Sequence, residues 1–181
     1  LSTGFLGVRY LCPVLTEMGY PDVAYRLLLQ EEFPSWGYSI RHGATSIWER
    51  WNGWTAEKGF FDPGMNSFNH YSLGSVGEWL YESVAGIGSD PDHPGYEHIV
   101  IRPVIGPGLT HARADYRSIR GHIASGWGKN GNNLTLRVVI PANTTATIYV
   151  PSLEGSAVLE SGKPAEKAPG LAFVKNENGY A

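Results

Sequence analysis

The sequence predicts an α + β protein in two segments, a helical first half followed by an antiparallel β-sandwich. Apolar residues recur at helical spacing up to about residue 86, whereas they alternate with polar residues from about residue 96 onward. Five of the six tryptophans lie before residue 80, so the two halves also differ in composition. The segment 88–95 is rich in Gly, Pro and Asp, which predicts a turn-rich joint between them.

Three helices are predicted in the first 42 residues. Residues 4–18 place apolar side chains on one face, with Pro13 predicting a kink or a late start, and Gly19 ends the pattern. A second helix is predicted to begin near Asp22, and residues 35–41 form a short third one.

A long loop and a further helix are predicted next. Residues 52–66 contain several Gly, Asn and Pro residues and read as a loop, which at that length is typical of a functional segment. Residues 67–84 are predicted as the clearest helix. Apolar or small residues on two of its sides indicate packing between neighbouring elements. Trp36 and Trp79 are predicted as core residues.

Short strands with alternating apolar residues follow the joint. In the first long stretch Ile119, Gly121, Ile123, Ser125 and Trp127 alternate with polar partners, and Lys129-Asn130-Gly131-Asn132 predicts a hairpin turn after it. Two more alternating stretches follow between residues 133 and 150. Strands of this length and spacing are typical of an antiparallel sandwich.

Composition excludes several kinds of partner and site. The formal charge is −3 with no long basic run, which argues against nucleic acid and against a charged membrane surface. The single cysteine, Cys12, lies in an apolar context and excludes both an internal disulfide and a cysteine-rich metal site. Asp90, Asp92 and His93 resemble a cation cluster, but the prolines between and after them fit a turn better, so no metal site is predicted.

The stretch 43–54 contains the residues best suited to carbohydrate chemistry. Trp48, Trp51 and Trp54 flank a single carboxylate, Glu49, with Arg50 beside it. Aromatic faces stack on the apolar faces of sugar rings, and a carboxylate supplies the acid or base that glycosidic bond cleavage needs. The alternative is a tryptophan-rich core segment in which Glu49 only forms an ion pair with Arg50 or Arg41.

Four motifs, in the same order along the chain, resemble the C-terminal part of bacterial α-L-rhamnosidases, glycoside hydrolase family 78. These are Gly-Ala-Thr-Ser-Ile-Trp-Glu-Arg-Trp at 43–51, Ser-Phe-Asn-His-Tyr at 67–71, Gly-Glu-Trp-Leu-Tyr at 77–81 and Val-Ile-Pro-Ala-Asn-Thr-Thr-Ala-Thr at 139–147. The resemblance implies that residues 1–88 are the last helices of an (α/α)6-barrel catalytic domain. Residues 96–181 would then be the appended β-sandwich.

The resemblance also implies roles for individual residues. The family uses an inverting mechanism, in which one carboxyl group protonates the leaving oxygen and a second activates water. Glu49 matches the family's general base, and His70 matches a residue that contacts the sugar. The general acid belongs to an upstream motif that this chain does not contain. We therefore expect a fragment of a longer polypeptide, inactive alone, with the upstream barrel as its partner.

Elementary chemistry agrees with those roles. A base must be ionised, and a nearby Arg50 or Arg41 would favour the charged form of Glu49. His70, predicted near the amino end of a helix, would be neutral and able both to donate to and to accept from sugar hydroxyls. Trp48, Trp51 and Trp54 are predicted to wall the pocket. No cofactor is required by this chemistry.

Two other functions remain open from the sequence. One is a non-catalytic carbohydrate-binding or structural module that keeps the fold without the chemistry. The other is an (α/α)6 glycosidase that acts on a sugar other than rhamnose. Under the rhamnosidase reading, the isolated chain should expose an apolar flank, because the missing barrel helices would otherwise cover it.

Overall fold

The computed structural model describes residues 3–152, 156–176 and 179–181. The chain forms two compact units. The first comprises Leu1–Leu80 with Gly106–Leu109, and the second comprises Tyr81–Ile105 with Thr110–Ala181. The predicted order of a helical segment followed by a β-sheet segment is confirmed.

The first unit opens with three α-helices, as predicted. They are α1 (Phe5–Glu17), α2 (Pro21–Leu29) and α3 (Trp36–Arg41). Pro13 lies inside α1, which continues through it, and Gly19 follows the helix at φ +85°, a conformation that favours glycine. The Ser35 side chain accepts a hydrogen bond from the Tyr38 N–H at 2.9 Å and so fixes the start of α3.

The predicted loop 52–66 contains short ordered pieces. Strands β1 (Trp54–Thr55) and β2 (Gly59–Phe60) pair as a small hairpin, and a 3₁₀ turn covers Pro63–Met65. The loop therefore has an internal structure that holds its aromatic residues in place.

The helix predicted over residues 67–84 is wrong in its first part. The helical conformation begins with a 3₁₀ turn at Ser72–Ser75, continues as α4 (Val76–Trp79) and ends in a π-helical turn, Leu80–Val84. Residues 67–70 instead form main-chain hydrogen bonds with residues 47–49. Tertiary pairing has overridden the helical propensity that the sequence pattern suggested.

The first unit buries several of its aromatic side chains, whereas apolar side chains of α1 are exposed. Trp79 is 1% exposed, its Nε1–H donates to Thr16 Oγ1 at 2.8 Å, and its ring meets Tyr25 edge-on at 5.2 Å. Trp36 and Cys12 are also buried, as predicted. By contrast α1 leaves large apolar side chains open to solvent, among them Leu6 at 92% exposure. Helix α1 therefore exposes large apolar side chains, and their covering by further barrel helices stays a prediction.

The second unit contains two three-stranded sheets. One has the order β3-β4-β8, formed by β3 (Ile87–Ser89), β4 (His98–Ile101) and β8 (Thr145–Ile148). The other is fully antiparallel with the order β5-β6-β7, formed by β5 (His111–Ser118), β6 (Gly121–Asn130) and β7 (Asn133–Val139). A short pair, β9 (Leu159–Glu160) with β10 (Lys163–Pro164), follows.

Branched aliphatic side chains fill the space between the two sheets. Ile87, Ile99 and Ile101 of the first sheet pack with Ile123 of the second, and all four are at most 2% exposed. The alternating pattern therefore has the predicted meaning for β6, where Ile123, Ser125 and Trp127 all face inward.

Two details of this unit differ from the expectation. Strands β4 and β8 pair in parallel, with His98 opposite Thr145, so the first sheet is mixed rather than antiparallel. Ile119, predicted as part of the alternating strand, lies instead in the turn before β6 and is exposed. Over the part of the chain that the structure describes, no helix is long and apolar enough to cross a membrane.

Candidate functional site

Two extended segments of the first unit run side by side and carry the two principal candidates. The Glu49 N–H donates to the Ser67 carbonyl at 2.8 Å, and the His70 N–H donates to the Ile47 carbonyl at 2.9 Å. The Ser46 hydroxyl donates to the Phe68 carbonyl beside them. Glu49 and His70, 21 positions apart in the sequence, are thereby placed on adjoining segments, 46–49 and 67–70.

The Glu49 carboxylate is fixed through one of its two oxygens. Oε2 accepts a hydrogen bond from the Ser67 N–H at 2.8 Å, in addition to the main-chain bond in the opposite direction. Oε1 accepts no hydrogen bond from the residues that the structure describes. The side chain is half-buried. One oxygen is therefore oriented by the protein while the other can meet a water molecule.

The ion pair considered as an alternative for Glu49 does not form. Arg50 Nε donates to the Met65 carbonyl at 2.8 Å, and its guanidinium carbon lies 5.1 Å from the centroid of the Phe61 ring. Arg41 pairs with Glu31 at 3.0 Å. Each arginine predicted beside the carboxylate has a different partner, and Glu49 has no ion-pair partner among the described residues.

The His70 ring has a defined tautomer. Its Nδ1 accepts the Ser72 N–H at 3.3 Å, and since a backbone amide can only donate, the proton of the neutral ring is on Nε2. The Phe5 ring stacks on it with centroids 4.9 Å apart and planes at 16°. His70 lies just before the 3₁₀ turn and not at the amino end of an α-helix, so its orientation comes from this one amide and from stacking.

The three candidate tryptophans have different environments. Trp48 is 7% exposed and meets the Phe68 ring edge-on, so it packs inside the unit. Trp51 is half-buried, and its Nε1–H donates to the Thr3 carbonyl at 3.0 Å. Trp54 is half-buried beside the His42 ring, 5.1 Å between centroids. The prediction that they wall a sugar pocket therefore fits Trp51 and Trp54 better than Trp48.

Two residues that order the site, Asn66 and Ser67, were not predicted from the sequence. Ser67 acts through its main chain, and no sequence signal reveals a main-chain donor. Asn66 donates from Nδ2 to the Gly53 carbonyl at 2.9 Å, while its Oδ1 is buried without a hydrogen-bond partner among the described residues. Its place between two aromatic segments was the only available hint.

An open depression of about 300 Å³ lies in the same unit and was not predicted. It is lined by Glu31, Glu32, Tyr38, Arg41 and His42. Tyr38 and His42 have ring centroids 4.2 Å apart, so a run of aromatic rings leads from this depression to Trp54.

The Asp90 cluster forms a turn, as the sequence favoured. Asp90 Oδ1 accepts the Asp92 N–H at 3.0 Å and Oδ2 contacts His93 Nδ1 at 2.9 Å. Across the described ranges, no group of three His, Cys, Asp or Glu side chains is arranged to hold a metal ion.

Two family models match the chain in sequence. Residues 1–84 match the bacterial α-L-rhamnosidase six-hairpin glycosidase domain, and residues 86–164 match the bacterial α-L-rhamnosidase C-terminal domain. The junction between the two matches lies close to the boundary between the two compact units at Leu80–Tyr81.

Curated relatives give the same result. An α-L-rhamnosidase of Streptomyces avermitilis is 50% identical over 152 residues, which are 84% of this chain and 15% of that protein. One from Formosa agariphila is 43% identical over 177 residues, 98% of this chain and 19% of that protein. The crystal structure of Streptomyces avermitilis α-L-rhamnosidase complexed with L-rhamnose matches with a TM-score of 0.84 at 43% identity, covering 100% of this chain and 17% of that one.

The chain thus spans less than a fifth of the length of these relatives. Both family models, the curated relatives and the solved structure name the same enzyme family, and they agree with the four motifs quoted from the sequence. The chain therefore belongs to the bacterial α-L-rhamnosidase family, with sequence from both the six-hairpin glycosidase domain and the C-terminal domain.

Proposed function

We propose that this chain is part of an inverting glycoside hydrolase that releases terminal α-L-rhamnose from glycosides or polysaccharides, with Glu49 as the general base. The observation that carries the proposal is the state of the Glu49 side chain. Its Oε2 is held by the Ser67 N–H at 2.8 Å, and no arginine in the described part of the chain is paired with it. A half-buried carboxylate with one fixed and one available oxygen is suited to taking a proton from water.

The reaction assigns a separate role to each group. Glu49 Oε1 takes a proton from a water molecule as the water oxygen attacks the anomeric carbon. A carboxylic acid elsewhere in the polypeptide donates its proton to the glycosidic oxygen, and the bond to the aglycone breaks. In inverting enzymes the two carboxyl groups stand roughly 6.5–9.5 Å apart to leave room for that water. No cofactor takes part.

His70 and the tryptophans would hold the sugar. The Nε2–H of His70 has no hydrogen-bond partner among the described residues, so it is available to donate to a sugar hydroxyl. Trp51 and Trp54 offer partly exposed indole faces on the segment that follows Glu49. Trp48 supports this segment from the buried side.

The proposal includes the domain arrangement. Residues 1–88 would be the last helices of the (α/α)6 catalytic barrel, and residues 96–181 the appended β-sandwich domain. The rest of the polypeptide would supply the general acid and would cover the exposed apolar side chains of α1, of which Leu6 is an example.

The test is hydrolysis of a panel of aryl glycosides, α-L-rhamnoside included, by the full polypeptide and its Glu49→Gln variant. We expect turnover of the rhamnoside, with kcat lowered by about 10²–10⁴-fold in the variant, because that is the usual contribution of a positioned base. Glu57→Gln is the matched control, since Glu57 is an exposed glutamate in the β1–β2 turn of the same unit.

Each part of the proposal has its own refuting result. Proton NMR of the first product should show β-L-rhamnose before mutarotation, and α-L-rhamnose would exclude an inverting base. A Glu49→Gln variant that keeps its rate would make Glu49 structural. A parent protein that binds rhamnose without cleaving any rhamnoside would be a carbohydrate-binding module. Cleavage of another glycoside but not of the rhamnoside would show that the enzyme acts on a different sugar.

A further inference from the structure

Three successive residues, 65–67, each form a hydrogen bond with residues 49–53, the stretch that begins at Glu49. The Met65 carbonyl accepts from Arg50 Nε at 2.8 Å, and Asn66 Nδ2 donates to the Gly53 carbonyl at 2.9 Å. Ser67 exchanges two hydrogen bonds with Glu49, both 2.8 Å long. The run 65–67 is therefore fixed against 49–53 at every residue.

The hydrogen bond from Arg50 to the Met65 carbonyl holds the first residue of the run 65–67. Its side chain is half-buried, reaches Met65 with Nε and lies over the Phe61 ring at 5.1 Å. It thus holds the end of the loop that leads into Ser67. Without the hydrogen bond from Arg50 to Met65, the chain before Asn66 would have no side-chain hydrogen bond to residues 49–53 among the described residues. The Ser67 N–H would then be oriented less firmly towards Glu49 Oε2.

We propose that Arg50 is a positioning residue that fixes the Glu49 carboxylate through the main chain of residues 65–67, and not through its positive charge. The neighbouring position of an arginine and a carboxylate suggests an ion pair, but the structure assigns Arg50 to a carbonyl and an aromatic ring instead. This role depends on the function proposed above, because it takes Glu49 as the base.

Two substitutions of similar length separate hydrogen bonding from charge. Arg50→Gln places an amide nitrogen at the position of Nε and removes the charge, whereas Arg50→Met removes both the charge and the donor. If Arg50 acts by holding Met65, the Gln variant keeps most of the function and the Met variant loses it. If Arg50 acts by its charge, the two variants are equally impaired.

The experiment measures catalysis and local order together in the full polypeptide. For Arg50→Met we expect kcat to fall between about 10- and 100-fold with KM little changed, the effect of a displaced catalytic group. Amide hydrogen exchange at Ser67 should accelerate by about 5-fold or more, equivalent to one weakened hydrogen bond. Arg50→Gln should stay within about 3-fold of the parent in kcat, since it retains the donor.

Arg26→Met is the matched control, because Arg26 lies on α2 and pairs with Asp22 at 3.5 Å. Equal losses in Arg50→Gln and Arg50→Met, or unchanged exchange at Ser67 in Arg50→Met, overturn the inference. Glu49→Gln, measured in parallel, tests the proposed function separately. If Glu49→Gln loses activity while Arg50→Met keeps it, only the proposed role of Arg50 is wrong. If Glu49→Gln stays active, the assignment of Glu49 as the base is wrong, and Arg50 has no base to position.

Discussion

Gly53 lies at the point where the Glu49 segment and the loop 61–66 meet, and a single methyl group there should disturb both. The glycine is buried, and a Cβ atom added to it would stand 3.0 Å from Asn66 Oδ1 and 3.3 Å from the Arg50 carbonyl oxygen. Its φ is outside the left-handed region, so alanine is compatible with the backbone and the effect of Gly53→Ala is purely steric.

The magnitude follows from two opposing contributions. Replacing glycine by alanine stabilises a protein by about 0.4–1 kcal/mol through the unfolded state where the site accepts it. Overpacking of a filled site costs about 1–3 kcal/mol. Asn66 cannot withdraw cheaply, because its Nδ2 is bonded to the Gly53 carbonyl at 2.9 Å. We therefore expect a net loss of about 1–2 kcal/mol in the local free energy of opening.

Hydrogen exchange measures that loss directly. The Phe61 N–H donates to the Gly53 carbonyl at 3.0 Å, and the Ser67 N–H donates to Glu49, so both amides report on this junction. Their exchange should accelerate by about 5- to 30-fold in Gly53→Ala, with a parallel fall in kcat.

Gly77→Ala in α4 is the control, because an added Cβ there meets no atom of the described residues within 4 Å and alanine favours a helix. Equal exchange rates in the two variants would show that the junction accepts a methyl group. The steric argument would then be wrong.

Two further predictions concern titratable groups away from the site. Burial raises the pKa of the Cys12 thiol to about 11, so about 0.1% is thiolate at pH 8. Labelling by a thiol reagent should therefore be slow in the native protein and fast in urea, and fast native labelling would contradict the buried position of Cys12. The hydrogen bond that His93 donates to the Asp90 carboxylate raises the pKa of His93, and the same bond lowers the pKa of Asp90. The Asp90–His93 pair therefore stabilises the folded state most in mild acid, between about pH 4 and 6.5. This contribution is lost as the pH rises through the raised pKa of His93 or falls through the lowered pKa of Asp90. In Asp90→Asn, the NMR titration midpoint of His93 should fall towards its ordinary value, and an unchanged midpoint would exclude this pair as the cause.

Local patterns predicted much of the fold because the interactions that decide it lie close together in the sequence. Helices α1 and α2 follow from side chains three and four positions apart, and the β6–β7 hairpin follows from alternation together with Asn130-Gly131. Glu49 and His70 were selected by the family motifs, and the structure places them on adjoining segments. Their chemical roles remain predictions.

Long-range pairing decided the rest, and local sequence patterns carry little information about it. Residues 67–70 suit a helix, but their N–H and C=O groups bond to 47–49 instead. β8 joins β4 in parallel across 43 intervening residues, between Ile101 and Thr145, where antiparallel neighbours were expected.

By itself, the sequence determined the order of the helical and β segments, the buried positions of Trp36 and Trp79, and the family. The tertiary structure decided which atom each polar group meets. Arg50 is adjacent to Glu49 in the chain, yet it bonds to the carbonyl of Met65, 15 positions away, and Trp48 turns into the unit while Trp54 stays half-exposed. The physical reason is that a side chain's partner depends on which distant segments fold against it, and the spacing of residues along the sequence does not reveal which segments these are.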